Sequence, residues 1–107
     1  MSSDENFVKF IVDQIDPAGV IRYRKMFGEY TIYCDEKIVA LICDNKLYVK
    51  KTNGGKDFIG EAFEASPYPG AKSCFLIEDK FEDQGWISSL IKITQSELLP
   101  PKPKKGK

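Results

Sequence analysis

Histidine is absent from this sequence, and its three cysteines, Cys34, Cys43 and Cys74, are the strongest nucleophiles it offers near neutral pH. Without imidazole the chain has neither the commonest general base nor the commonest transition-metal ligand. A Ser-His-Asp or Cys-His site cannot be assembled within one chain. The cysteines are odd in number, far apart and form no Cys-x-x-Cys knuckle, which is a poor ligand supply for zinc. They read as small apolar side chains kept reduced. If one is reactive, Cys34, beside a turn, is the candidate. Asn53-Gly54-Gly55-Lys56 precedes a helix but lacks the first glycine and the closing Lys-Ser/Thr of a phosphate loop. It reads as a helix-capping loop. No Gly-x-Gly-x-x-Gly follows a strand. Glu78-Asp79 and Glu82-Asp83 read as helix-start and surface charge. The expectation is a protein with no catalytic residue, metal, cofactor or small-molecule substrate. An enzyme would require a pocket lined by Cys34 or by gathered acids.

The 107 residues suffice for a single core. All sixteen acidic residues precede Pro100, whereas Lys102, Lys104, Lys105 and Lys107 follow it. Residues 1–99 therefore carry twelve cations against sixteen carboxylates, a net charge of −4. Such a body repels phosphate. Residues 1–99 are expected to fold as one domain, and residues 100–107 to form a basic, solvated Pro/Lys tail. No apolar run approaches the roughly 20 residues that span a bilayer. Met1-Ser2-Ser3-Asp4-Glu5 has neither the basic nor the apolar region of an export signal. A cytoplasmic protein without membrane contact is expected.

Ser2 and Glu5 stand at capping-box spacing before Phe7, Val8, Ile11 and Ile15, which predicts a helix over 3–15 stopped by Asp16-Pro17 and Gly19. Residues 20–50 read as three consecutive antiparallel strands, with two-residue turns at Asp35-Glu36 and Asp44-Asn45. The first turn is the weaker signal, because Asp-Glu is not a preferred pair there, and a longer loop would shift the register. With two-residue turns Ile32 faces Val39, Tyr30 faces Leu41, Leu41 faces Tyr48, Ile42 faces Leu47 and Cys43 lies opposite Gly28. One face then carries Ile38, Ala40, Ile42, Leu47 and Val49 beneath the helices. The other carries Tyr30, Ile32, Val39, Leu41 and Tyr48, with Lys46 and Lys50 at its edge.

Thr52–Gly55 opens a helix over 54–64 that buries Phe58, Ile59 and Phe63. Pro67-Tyr68-Pro69-Gly70 is a rigid loop. Ser73–Glu78 is a fourth strand, and Phe81–Ile93 a long helix with Trp86, Ile87, Leu90, Ile91 and Ile93 inward. Thr94 and Glu97, again at capping-box spacing, predict a short final turn. The fold class is α+β: two layers, with an antiparallel sheet of about four to five strands and an N-terminal, a middle and a C-terminal helix.

Helices in so short a chain cover one sheet face convincingly. The uncovered face, with Tyr30, Ile32, Val39, Leu41, Tyr48 and Lys50, is the candidate surface for a protein partner or a second copy; a merely half-exposed amphipathic face is the plain alternative. For nucleic acid the material is Arg22, Arg24, Lys25, Lys50, Lys51 and the lysine tail, with Tyr23, Tyr30 and Tyr48 for stacking. A solvated strand end balanced by nearby acids is the plainer reading.

Arg24-Lys25-Met26-Phe27-Gly28-Glu29-Tyr30 resembles the Met-Phe-Gly signature of the TfoX N-terminal domain family, also called Sxy-like. The resemblance continues through Leu47-Tyr48-Val49-Lys50, Tyr68-Pro69-Gly70-Ala71-Lys72, Trp86–Ile91 and Pro100–Lys104, nearly the whole chain. It implies a two-layer fold on an antiparallel sheet, no enzyme activity and no cofactor. It also implies a bacterial regulator, since members that induce competence act with the cyclic-AMP receptor protein at competence promoters. Those regulators carry a second, C-terminal domain, and this chain is expected to be a single-domain member. In the signature, Met26 and Phe27 are read as adjacent strand residues that plug opposite faces, with Gly28 allowing a bulge or close approach.

Overall fold

The computed structural model describes residues 5–26, 29–61, 63–67 and 69–98. The first helix, α1, spans Glu5–Ile15 and buries Val8, Ile11 and Ile15, the apolar positions at helical spacing. A 3₁₀ turn at Asp16–Ala18, with Pro17 in it, ends the helix and leads into the sheet. The capping box at Ser2 lies outside the described residues.

Six strands form one antiparallel sheet: β1 (Ile21–Met26), β2 (Glu29–Cys34), β3 (Lys37–Cys43), β4 (Lys46–Val49), β5 (Glu64–Ala65) and β6 (Cys74–Ile77). Their order is β1-β2-β3-β4-β6-β5. Two strands exceed the sequence expectation by distinct routes. The stretch read as one strand from residue 20 reverses between Met26 and Glu29, which pair with each other. β5 is a two-residue strand where a helix was expected. The second helix, α2, covers only Asn53–Ile59, because Gly60 takes φ 86° and ends it. Phe63 is consequently not buried; it stands 76% exposed just before β5.

Both turns at Asp35-Glu36 and Asp44-Asn45 hold two residues, as expected, and all four residues have positive φ. That backbone suits the twist of a tight hairpin but is strained for a residue such as Glu36 at φ 72°. Neighbouring contacts hold the first turn. The Asp35 carboxylate accepts the Val20 N–H at 3.0 Å. Asp35 N–H donates to the Val20 carbonyl at 2.9 Å. Arg22 pairs with Glu36 at 2.8 Å.

The register nevertheless departs from expectation two residues further on. Tyr33 faces Ile38, but Ile32 faces Ala40, Thr31 faces Leu41 and Tyr30 faces Ile42. Val39 is the extra residue of a β-bulge. Beyond it the second hairpin pairs as expected, Leu41 with Tyr48 and Ile42 with Leu47. The bulge moves three residues expected on the open face into the core: Tyr30, Ile32 and Val39 pack with Ala40, Ile42, Leu47 and Val49. Ile38 moves the other way and is 39% exposed.

The third helix, α3, spans Gln84–Glu97 and starts later than expected, where Asp83 caps the Trp86 N–H at 3.1 Å after a 3₁₀ turn at Lys80–Glu82. Thr94 begins no new turn. Its hydroxyl donates back to the Leu90 carbonyl at 2.8 Å, inside one continuous helix. Val8, Ile11 and Ile15 of α1 and Ile87, Leu90 and Ile91 of α3 meet the sheet in a single core, with Phe58 and Ile59 of α2 at its margin. Lys37 ties sheet to helix by donating to the Gln95 carbonyl at 3.0 Å, near the negative end of α3.

Glu36→Gly is expected to raise the thermal midpoint by several degrees, since relief of left-handed strain of about 1 kcal/mol outweighs the loss of an exposed ion pair. Thermal melts of the two proteins check it. Deleting Val39 is expected to abolish the cooperative melt, because the loss turns one half of the sheet over relative to the other. Val39→Ala, which keeps the bulge, should retain a cooperative transition at a cost of about 1–3 kcal/mol.

Candidate functional site

Alternation along the strands sorts the sheet's outer face into rows. Arg24, Thr31, Leu41, Tyr48 and Leu76 occupy one row across β1, β2, β3, β4 and β6 by successive pairings. Arg22, Tyr33 and Ile38 begin the next. Tyr48, Cys43 and Cys74 form a small buried cluster, with Leu41, Ala65 and Leu76 partly buried around it. No helix of the described residues packs on this cluster.

A cleft of about 710 Å³ opens at the β4–β6 end of this face. Leu41 and Cys74 line it from the sheet; Pro67 and Gly70–Ser73 line it from the loop before β6. Lys50, Lys51 and Lys72 complete its lining. Lys51 pairs with Glu64 at 3.0 Å. Lys50 and Lys72 have no carboxylate partner among the described residues. On a domain whose acids outnumber its cations, this is a local positive well. A second cavity of about 460 Å³ is lined by Phe63, Leu76 and Trp86, with Glu61, Glu78, Asp79 and Lys80 also on its wall.

Of the expected contact residues, Leu41, Tyr48 and Lys50 stay on the open face; Tyr30, Ile32 and Val39 belong to the core, for the reason the bulge supplies. Tyr30 lies against Tyr23, which donates to Glu5 of α1 at 3.2 Å, so neither ring is presented for stacking on the open face. Among the basic candidates, Arg22 is engaged by Glu36 and stacks near the Tyr33 ring, and Lys51 is engaged by Glu64. Arg24 and Lys25 are exposed on edge strand β1 and, one residue apart, point to opposite faces. The five cations do not form one patch. In the Met26-Phe27-Gly28 signature only the Met26 backbone is described; Phe27, Gly28 and the tail lie outside the described residues. Lys72, Leu76 and Phe63 were missed by sequence reasoning. The alternation Cys74-Phe75-Leu76-Ile77 could have found Leu76, but nothing local marks Lys72.

All three thiols are free and buried. Burial, with Asp35 beside it, pushes the Cys34 thiol up to about 11. Burial, with Glu29 beside it, does the same for Cys43. The Cys74 thiol is raised by burial although Lys50 and Lys51 pull it down. Such thiols are poor nucleophiles at neutral pH, so the surroundings of Cys34 favour the structural reading of the cysteines over a reactive thiol there. Asn53–Lys56, read as a capping loop before the helix, is instead the first turn of α2; the cap is Thr52, whose hydroxyl oxygen accepts the Gly55 N–H at 3.0 Å.

The TfoX N-terminal domain family matches residues 13–97. This chain belongs to that family. An uncharacterized 12.7 kDa protein of Spirochaeta aurantia, from the trpE 5′ region, is 38% identical over 107 residues, which are 100% of this chain and 93% of that protein. The TfoX N-terminal domain therefore accounts for the last three residues of α1, the whole sheet, α2 and α3. No helix among the described residues of this family member is long and apolar enough to cross a membrane.

A thiol whose folded pKa lies above its unfolded value stabilises the fold fully below the unfolded pKa. That contribution is lost as pH rises through the folded one. Stability should therefore fall between about pH 9 and 11, read as a falling urea midpoint. A Cys34→Ala/Cys43→Ala variant should show a shallower fall, whatever its midpoint at pH 8.

Proposed function

We propose that this domain is a non-catalytic regulatory module that binds a protein partner on the outer face of its sheet. One observation carries the reading. Leu41 and Leu76, half-buried on either side of the buried Tyr48, form an apolar row on a face no helix of the described residues covers, beside a cleft that three lysines help to line. Exposed apolar surface rimmed by charge is how transient partners are recognised. The missing histidine and the raised thiols favour binding over catalysis. Family membership brings a link to transcription or competence into this proposal; it is the same regulatory reading at a finer level. Use of the surface as a nucleic-acid accessory is the lesser reading, because Arg22 and Lys51 already spend their charge on Glu36 and Glu64.

A photo-crosslinking residue at position 76, in cells of the organism that encodes the chain, is expected to trap a discrete protein adduct. Leu41→Glu should reduce that adduct about tenfold or more, as loss of a central apolar contact does. Adducts of no defined mass, or adducts indifferent to Leu41→Glu, would remove the outer face from consideration. A labelled DNA duplex offered to the same protein should give only weak anisotropy, lost as salt rises. Tight binding that weakens when residues 100–107 are deleted would favour nucleic acid instead.

A further inference from the structure

Phe63 is the most exposed aromatic side chain among the exposed large hydrophobics, at 76%, and it stands where the sheet ends. Its carbonyl accepts the Leu76 N–H at 2.8 Å, so the backbone groups of Phe63 point toward β6. Alternation then turns the N–H and C=O of the next residue, Glu64, to the open edge of β5. That edge offers one donor and one acceptor on a single residue, which is what two copies related by a twofold axis need to exchange a pair of hydrogen bonds.

From these features we propose that the partner on this face is a second copy of the chain, joined β5 to β5 about Glu64, with Phe63 of each copy seated in the basic cleft of the other. The proposal rests on the outer face being a protein-binding surface and names its occupant. Pairing Glu64 with its symmetry mate puts Phe63 opposite the partner's Ala65. Ala65 pairs with Cys74, which lines the cleft. Phe63 precedes Glu64 and shares the outer face with Leu76, so its ring projects on the side where the partner's cleft opens.

Charge agrees with this placement. Glu61, two residues before Phe63, lines the second cavity, whose charged residues are three acids and one lysine, Lys80, whereas Lys50 and Lys72 at the cleft have no carboxylate partner among the described residues. Each copy thus brings an aromatic side chain with a carboxylate to an apolar floor with ammonium groups around it. The two Glu64 side chains that approach the axis do not arrive as bare charges, since each is paired with its own Lys51 at 3.0 Å. A two-residue edge strand also limits the ladder. The dimer is accordingly weak, with affinity supplied by the aromatic and ionic contacts and not by the backbone pair.

Sedimentation of the full chain, from low micromolar to near-millimolar concentration, tests it. The expected result is a reversible monomer–dimer equilibrium. Phe63→Ser and the double variant Lys50→Glu/Lys72→Glu should each raise the dissociation constant about tenfold or more. Because these residues are exposed or line an open cleft, unchanged thermal melts would show that the fold persists. The decisive arm is a charge exchange. Glu61→Lys alone should weaken the dimer, and mixing it with Lys50→Glu/Lys72→Glu should restore association as a heterodimer, since each interface then regains opposite charges. A monomer at every concentration, a dimer indifferent to these variants, or a mixture without heterodimer would overturn the proposal. A chain that stays monomeric yet yields a different protein from the position-76 crosslink would overturn the second copy while leaving the outer-face reading in place.

Discussion

Val39 settles which way half of this protein faces. On β1 and β2 the side chains that pack in the core are Ile21, Tyr23, Tyr30, Ile32 and Cys34, at alternate positions. On β3 beyond Val39, and on β4 and β6, the core-facing side chains are Ala40, Ile42, Leu47, Val49, Phe75 and Ile77, again alternating. A regular ladder from the Asp35-Glu36 turn would set these two groups on opposite faces of the sheet. One extra residue on β3 changes the parity, and both groups then meet α1 and α3 in a single core. Each large side chain so buried contributes roughly 1.5–3 kcal/mol. Without the bulge, much of that burial would be divided between two faces, only one of which has helices to cover it.

The same bulge sets the composition of the open face. It withdraws Tyr30, Ile32 and Val39 and leaves Thr31, Tyr33, Ile38, Leu41 and Tyr48, a mixture less apolar than an unbroken alternation would provide. The result is half-buried, with Cys43 and Cys74 closed over by their neighbours and Leu41 and Leu76 partly open. The one-sided coverage and the cleft thus have a common origin. Helices fill one layer, and the loop before β6 closes only a corner of the other.

What could be read from the residues follows from the range of the interactions. Helix α1, the two-residue turns and the second hairpin register depend on neighbours in sequence, and all three were legible. The bulge was not, because Val39 is a good strand residue in any register and only the requirement to unite two apolar groups from different hairpins demands it. Gly60 is a local signal for the end of α2, and it opposes the apolar spacing that would bury Phe63 in a longer helix. The site divided in the same way. Leu41, Tyr48 and Lys50 lie beyond the bulge, in the hairpin whose register was correct, and they kept their face. Tyr30 and Ile32 lie before it and did not. Lys72 became part of the site only through the fold, which brings the loop before β6 beside β4.

Phe63 shows how the exposed features are connected. An aromatic side chain left in water after α2 forfeits the burial that a longer helix would have given it. Gly60 stops the helix, and the chain turns outward to add β5 to the sheet. That strand is too short to lengthen the core, yet it fixes Phe63 and Glu61 at the free edge and holds Glu64 against Lys51. Across the outer face, Lys50 and Lys72 stand around a cleft whose floor is apolar. Within one chain these features are unrelated costs: an exposed ring, unneutralised cations and an unfilled hollow. A twofold axis through Glu64 relates them, because the ring and carboxylate of one copy then fall where the hollow and cations of the other are. The alternation of β5 and the pairing of Ala65 with Cys74 dictate that placement, and the charge of Glu61, opposite to those of Lys50 and Lys72, is what makes it attractive.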